Sequence, residues 1–119
     1  MTHEIIGAAI AVSKGTRIGL LEMPYEKFLA HEIRKRGLAV ERQKAFGVEY
    51  DGIWADIAFR PDMVVEGKVI VEVKAVPQLL PVHDQQTLTY MYFSGCSTGL
   101  LLNFHAFPFT KKGIRRFKL

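Results

Sequence analysis

Apolar side chains in the first third of the chain recur with the 3.6-residue period of amphipathic helices. This pattern predicts a first helix that ends near Gly15 and a second that runs from about Leu21 to Lys35. Pro24 is tolerated in the first turn of the second helix, and Gly37 supplies its stop signal. The positions that form the two apolar stripes are Ile5, Ile6, Ala9, Ile10 and Val12, then Tyr25, Phe28, Leu29 and Ile33.

After Gly37 the period changes from 3.6 to 2, which is the period of a strand. Turn signals at "YDG", "RPD" and "EGK" separate the successive segments. Consecutive short strands with such turns predict an antiparallel meander. The predicted strands are Leu38 to Gln43, Phe46 to Tyr50, Ile53 to Phe59, Asp62 to Val65 and Val69 to Ala75.

A helix and two more strands are predicted in the last third of the chain. His83 to Phe93 has the length of a helix and lies between Pro81 and Gly95. "GLLLNF" (99 to 104) is typical of a buried strand, and Gly113 to Lys118 of an edge strand. The passage from Val69 to Phe104 then reads strand, helix, strand, which requires a parallel crossover. We therefore predict an α/β fold with a mixed β-sheet flanked by helices.

The length and composition favour one domain inside the cell. At 119 residues the chain can build one core, so residues 1–119 are expected to form a single domain. No apolar run reaches the roughly 18 residues of a membrane span, and the N-terminus lacks the basic start of a signal peptide. Cys96 is the only cysteine and cannot form an internal disulfide. We expect a soluble, cytoplasmic protein.

The charge balance favours a polyanionic partner. The net charge is +4 and the isoelectric point is near 9.3. Many of the basic residues lie in "HEIRKR" (31 to 36) and "TKKGIRRFK" (110 to 118). An alternative is that both segments are simply solvated, one as a helix face and one as a charged tail.

The segment "VIVEVKA" (69 to 75) carries two charges in an otherwise buried pattern. Glu72 and Lys74 leave a strand on one face, while Val71 and Val73 leave it on the other. Because burying a carboxylate beside an ammonium is costly, the pair is either a cross-strand ion pair or part of a site.

The turn between Asp62 and Glu72 decides between these two alternatives. A two-residue "EG" turn places Asp62 on the face opposite Glu72. A three-residue loop, with Gly67 in the left-handed conformation, places both carboxylates on one face. Only the odd-numbered loop creates a site.

Two converging carboxylates predict a metal site. They repel each other unless a cation joins them, and oxygen ligands without cysteine suit Mg²⁺ or Mn²⁺. The Val73 backbone carbonyl can add another oxygen ligand. Lys74 stands where an ammonium can stabilise charge on a scissile phosphate.

Several motifs together resemble one nuclease family. Asp62, Glu72 and Lys74 have the order and spacing of the PD-(D/E)XK nuclease superfamily. Gly19, Glu22 and Tyr25 in "GLLEMPYE" match the G-x-x-E-x-x-Y signature. The likeness continues through "HEIRKRGLAVERQ", "VEYDG", "RPDMVVEGKVIVEVKAV", "PVHDQQTLTY", "GLLLNF" and "KKGIRRF". The chain therefore resembles the GxxExxY family of this superfamily, whose members are mainly bacterial or archaeal.

This resemblance implies a fold and a set of catalytic residues. It implies a three-layer, restriction-endonuclease-like core, with Asp62 and Glu72 as metal ligands and Lys74 as the catalytic lysine. Glu22 would position a water or a second metal, and Gln86 would touch the nucleophile or the phosphate. The implied reaction is phosphodiester hydrolysis, in DNA more than RNA, by a metal-activated water.

The chain also departs from the family pattern beside Glu22. Ser13 stands in place of the usual histidine, and Arg17 and Ile18 stand in place of the usual Gly-Pro. These departures concern the fit of the substrate more than metal binding.

The remaining polar and aromatic residues have less specific interpretations. Arg60, His83 and Arg116 are candidate substrate contacts, although His83 can equally cap its helix. The histidines show no ligand spacing, so a zinc site is not expected. Tyr25, Tyr90 and Trp54 are expected to pack in the core.

A function of a different class is left open. The chain can be a nucleic-acid or protein interaction module that keeps the nuclease fold without turnover. In either case its small size favours a homodimer or a protein partner that recruits it.

Overall fold

Two antiparallel helices open the chain in the computed structural model, which describes residues 1–119. Helix α1 spans Thr2–Gly15 and helix α2 spans Glu22–Lys35. Their apolar stripes face the sheet, and the most deeply buried side chains include Ile5, Leu29 and Ile33. Phe28, which was predicted in the stripe of α2, is instead 41% exposed. Tyr25 is also buried and stacks on Phe104, which confirms that it is a packing residue.

The central sheet has five strands, in the order β1-β4-β5-β6-β7. Strands β4 and β5 form an antiparallel hairpin, β5 and β6 are parallel, and β7 returns antiparallel to β6 as an edge strand. Helix α3 makes the crossover between β5 and β6. The strands are β1 (Val40–Arg42), β4 (Met63–Val65), β5 (Val69–Lys74), β6 (Thr98–Asn103) and β7 (Ile114–Lys118), and α3 spans Pro81–Ser94.

The predicted α/β fold with a mixed sheet is confirmed, but the predicted single meander is wrong. Strands β2 (Phe46–Tyr50) and β3 (Ile53–Phe59) pair only with each other, so they form a separate two-stranded hairpin. Strand β1 pairs instead with β4, and the hairpin lies between these two strands in the sequence. A short helix, α4 (Phe109–Lys112), also precedes β7 and was not predicted.

The two faces of the sheet have different coverings. Helices α1 and α2 cover one face over a core of 17 buried residues, to which β5 contributes Val71 and Val73. Helix α3 covers the other face over a small cluster that contains Ile70, Met91 and Cys96. Gly99 permits this close packing, because a Cβ there would collide with the Met91 sulfur. Glu72 and Lys74 project from the α3 face, because alternate residues of a strand point to opposite faces.

Trp54 is not a core residue, contrary to expectation. It lies on the β2–β3 hairpin with 59% of its surface exposed, and its indole covers Gly47 of the facing strand. None of the helices combines the length and the hydrophobicity that a membrane span requires.

Candidate active site

The turn between β4 and β5 has three residues, Glu66 to Lys68. Gly67 has a φ of 64°, and the Lys68 N–H donates to the Val65 carbonyl at 2.9 Å. Val65 therefore faces Val69, and Met63 faces Val71. One residue beyond this ladder, Asp62 stands opposite Glu72. The odd-numbered loop is confirmed, and it puts both carboxylates on the same face of the sheet.

The Asp62 carboxylate is held at the edge of β5. Its Oδ2 accepts a hydrogen bond from the Val73 N–H at 2.7 Å, and its Oδ1 accepts one from Gln43 Nε2 at 3.2 Å. The N–H and C=O of a strand residue point to the same side of the strand, so the Val73 carbonyl also faces the Asp62 edge. Asp62 is thus fixed beside the carbonyl that was predicted as a third oxygen ligand.

Glu72 is a buried carboxylate with no cationic partner. Only 3% of its surface is exposed, and its Oε1 accepts the Asp62 N–H at 3.3 Å. Burial first, and then the neighbouring Asp62 charge, raise the pKa of Glu72 to about 9. No ion pair within 4.0 Å involves Glu72 or Lys74. The cross-strand ion pair considered from the sequence is therefore not formed.

Glu22 approaches the same end of β5 from the first residue of α2. Its Oε2 accepts a hydrogen bond from the Ala75 N–H at 3.4 Å, directly after Lys74. The residue is exposed, so its carboxylate is accessible to solvent. The structure thus brings Glu22, Asp62, Glu72 and Lys74 to one end of the central sheet.

Helix α3 adds Gln86 and Tyr90 above Glu72. The two residues are four apart on one face of the helix, and both are partly buried. Burial, and then the Glu72 charge, raise the pKa of Tyr90. Tyr90 stacks on Phe59 with ring centroids 4.6 Å apart, but it is only half-buried. The expected core residue therefore packs with its ring and directs its hydroxyl toward the carboxylates.

The three candidate substrate contacts are less closely associated with the carboxylates. Arg60 is exposed, two residues before Asp62, and forms no ion pair. His83 caps α3, because its Nδ1 accepts the Leu80 N–H at 3.0 Å. Arg116 pairs opposite Leu100 and shares the α1–α2 face, away from Glu72.

A neighbouring arginine on β7 lies on the Glu72 face instead. Arg115 is opposite Leu101, which in turn is opposite Glu72. Its guanidinium is paired with Asp84 of α3 at 2.7 Å. The pair ties the edge strand to the helix above the site.

Sequence reasoning missed Glu26, a second buried carboxylate behind Asp62. It lies one turn after Glu22 on α2, is 4% exposed and pairs with Arg42 at 2.8 Å. Gln43 Nε2 donates to Glu26 at 3.0 Å and also to Asp62. Burial raises the pKa of Glu26 and Arg42 opposes this rise. The spacing of four from Glu22, which puts both residues on one helix face, is the signal that could have found it.

These donors suit a hard divalent cation. They are all oxygens, and Glu72 is a buried carboxylate without a counter-ion. No group of three or more His, Cys, Asp and Glu side chains is arranged as a complete metal cage. Mg²⁺ commonly binds through one or two carboxylates and keeps several waters. Asp62, Glu72 and the Val73 carbonyl therefore fit such an ion, with the remaining positions left to water or substrate.

Comparison with known proteins gives one family assignment. A family model described as PD-(D/E)XK nuclease superfamily matches residues 1–117, which is almost the whole chain. No curated protein and no solved structure matches the chain significantly.

Proposed function

Because the chain belongs to the PD-(D/E)XK nuclease superfamily, we propose that it is a metal-dependent nuclease that hydrolyses phosphodiester bonds, with DNA as its substrate. The observation that supports this most is Glu72, a buried carboxylate beside Asp62 with no cation partner. A structural carboxylate this deep is normally paired, since an isolated buried charge is costly. A carboxylate that serves as a metal ligand obtains its partner from solution.

The proposed roles follow from the position of each side chain. Asp62, Glu72 and the Val73 carbonyl would hold Mg²⁺ or Mn²⁺. Such an ion would supply Lewis-acid stabilisation and make a water easier to deprotonate. Lys74, which has no competing ion pair, donates to the scissile phosphate and stabilises its charge. Glu22 and Gln86 orient water and phosphate from the two helices.

We also propose that the chain belongs to the GxxExxY family within the superfamily. In this structure the signature residues Gly19 and Tyr25 position the loop that leads to the third signature residue, Glu22. Gly19 has a φ of 118°, which turns the chain into α2, and Tyr25 Oη donates to the Arg17 carbonyl and accepts the Leu20 N–H. The tyrosine thus fixes the loop that presents Glu22 to the end of β5.

Of the candidate substrate contacts, we propose Arg60 for the DNA backbone. It is exposed, unpaired and next to Pro61-Asp62, so it can reach a phosphate held at the carboxylates. His83 and Arg116 remain proposals with less support, because His83 caps its helix and Arg116 lies on the opposite face.

The β2–β3 hairpin favours a protein partner, and we propose a second copy of this chain. Tyr50, Ile53, Trp54 and Ile57 are all more than half exposed on it. The hairpin carries three carboxylates and no basic residue, so it repels nucleic acid. The formal net charge is +4 for the whole chain and −3 for the hairpin, so the remaining residues together carry +7. The hairpin of one copy therefore complements the body of another.

A cleavage assay tests the proposed activity. Purified protein with Mg²⁺ or Mn²⁺ is incubated with labelled single-stranded, duplex and branched DNA, and with matching RNA. We expect DNA cleavage that EDTA stops and that Asp62→Ala, Glu72→Ala and Lys74→Ala abolish without unfolding the chain. Asp56→Ala, which removes an exposed hairpin carboxylate, is the matched control and should cleave normally.

Two outcomes would contradict the proposal. If all the substrates remain uncut, the chain is a non-catalytic module that keeps the nuclease fold. If the Asp62→Ala protein cleaves like the wild type, the activity belongs to other residues or to a contaminant.

A further inference from the structure

A cavity opens at the C-terminal end of α1, on the face of the sheet opposite α3. Its volume is about 500 Å³, within the range of small-molecule sites. It lies between the end of α1, the α1–α2 loop and the segment that leads into α4. Its apolar lining includes Ile10, Ile18, Phe104 and Phe107, and its polar lining includes Ser13 and Thr110. We call it the α1 cavity.

The α1 cavity has a positive rim and no acidic lining residue. Lys14 and Arg17 stand at this rim, both exposed. Neither side chain takes part in an ion pair within 4.0 Å. Two free cations beside an apolar cavity complement a ligand that joins an anionic group to a flat, apolar ring.

The floor of the α1 cavity is preformed. Phe104 stacks on Tyr25 and on Phe109, with ring centroids 4.9 Å and 5.0 Å apart. Phe107, by contrast, is 78% exposed at the mouth of the cavity, where its ring has no aromatic partner. An exposed ring beside free cations is the arrangement on which nucleobases stack in single-strand binding proteins.

The backbone joins the α1 cavity to the candidate active site, although the Lys74 side chain projects from the other face of the sheet. The Phe104 N–H donates to the Lys74 carbonyl at 2.9 Å, so the floor of the cavity is joined to the backbone of the strand that carries the proposed catalytic lysine. On the other side, the Arg17 carbonyl accepts the Tyr25 hydroxyl, three residues after Glu22 on α2. Ser13, Arg17 and Ile18, where the sequence departs from the family pattern, all line this cavity.

We propose that the α1 cavity binds one nucleotide of a single strand that flanks the bond to be cut. The base stacks on Phe107 against the apolar wall, and the phosphate binds Lys14 and Arg17. The identity of the ligand as substrate rests on the proposed nuclease function, whereas the binding of a nucleotide does not. The cavity would direct the enzyme toward single-stranded or frayed ends, because a paired base cannot enter it.

Binding is tested in EDTA, so that no cleavage occurs. Thymidine 5′-monophosphate is titrated into protein labelled at its isoleucine methyl groups. We expect the NMR signals of Ile10 and Ile18 to shift and those of the hairpin residue Ile53 to stay. Lys14→Ala and Arg17→Ala should each weaken binding about tenfold, the loss of one charge-assisted contact. Lys118→Ala, a basic residue outside the cavity, is the matched control and should bind normally.

Two simpler ligands test the paired recognition of base and phosphate. Inorganic phosphate and thymidine should each bind at least about tenfold more weakly than the nucleotide. If phosphate binds as well as the nucleotide, or if Ile10 and Ile18 do not respond to the nucleotide, the proposal is wrong.

A thymidine tetranucleotide distinguishes a substrate strand from a free nucleotide. It should bind about tenfold more tightly than the mononucleotide, and Lys74→Ala should remove this gain while leaving the mononucleotide affinity unchanged. If the tetranucleotide gains nothing, the cavity binds a free nucleotide and the inference of a substrate strand is overturned. Cleavage without nucleotide binding would contradict only the cavity, and binding without cleavage only the proposed function.

Discussion

The surroundings of Glu72 favour its protonated form. Burial and the adjacent Asp62 both raise its pKa, and the charge of Lys74 offsets this only in part. A divalent cation at Asp62 and Glu72 would stabilise both carboxylates as anions. Metal binding and proton release at Glu72 would therefore be coupled.

Metal-free protein should lose stability as the pH rises. The pKa of Glu72 is about 9 in the folded chain against an ordinary value of 4.5. Between these values the folded state holds a proton that the unfolded state has released, so the free energy of unfolding falls with increasing pH. Glu72→Gln, which is neutral throughout, should remove this part of the fall in urea titrations in EDTA. The exposed control Glu49→Gln should show the same fall in stability with pH as the wild type. If the free energy of unfolding falls equally steeply with pH in the wild type and in Glu72→Gln, the raised pKa of Glu72 is contradicted.

The residues at the site differ in how far the sequence could predict them. The Asp62, Glu72 and Lys74 spacing indicated the site, because alternation in β5 fixes which side chains share a face. Glu26 and the Tyr90 hydroxyl were missed. Both lie on helices, and their roles depend on which side of the helix meets the sheet edge and on long-range partners such as Arg42. Local pattern does not contain that information.

At the scale of elements, the β4–β5 turn determines whether the two acids meet. Its register depends on Gly67, which has a φ of 64°. A Cβ at Gly67 would meet no atom within 4 Å, so any cost of a side chain there comes from the backbone conformation alone.

Gly67→Ala should destabilise the protein by about 1 kcal/mol, since the left-handed conformation disfavours residues with a Cβ. The measurement is the free energy of unfolding from urea titration. Gly15→Ala is the matched control, because Gly15 ends α1 without a positive φ and also has no neighbouring atom within 4 Å. The control should leave stability unchanged or slightly higher. Equal effects of the two changes would show that the turn geometry is not the one described.

The β2–β3 hairpin shows why the topology could not be read from the sequence. Its alternating apolar residues match a half-buried strand, so the pattern correctly predicted two strands. It could not tell whether the apolar side chains face this chain's own core or another molecule. The pairing of β1 with β4 across the hairpin is similarly non-local.

The hairpin should mediate self-association. Trp54→Ser combined with Ile57→Ser is expected to convert a dimer to a monomer, because it removes exposed apolar surface that the partner would cover. Sedimentation velocity at several micromolar concentrations measures the change. Tyr92→Ser, an exposed aromatic on α3 outside the hairpin, should leave the dimer intact. A monomeric wild type, or a dimer that survives the double substitution, would contradict this interface.

Across the whole molecule, charge and function are separated in space. The acidic hairpin projects from a body that carries a net +7, and the carboxylates of the site lie at one end of the sheet within that body. On the proposed function, the positive surface would attract the DNA backbone, and the local acidic cluster would need a cation. This arrangement serves the proposed nuclease reaction only if Asp62 and Glu72 bind a divalent ion.

The most direct test is a titration of the apo protein with Mn²⁺ while its thermal unfolding is followed. The wild type should be stabilised, by about 2.7 kcal/mol when Mn²⁺ reaches 100 times its Kd. Asp62→Asn and Glu72→Gln should abolish the stabilisation, and Asp56→Asn on the hairpin should retain it. Absence of stabilisation in the wild type, or equal stabilisation in Asp62→Asn, would contradict the metal site and with it the proposed chemistry.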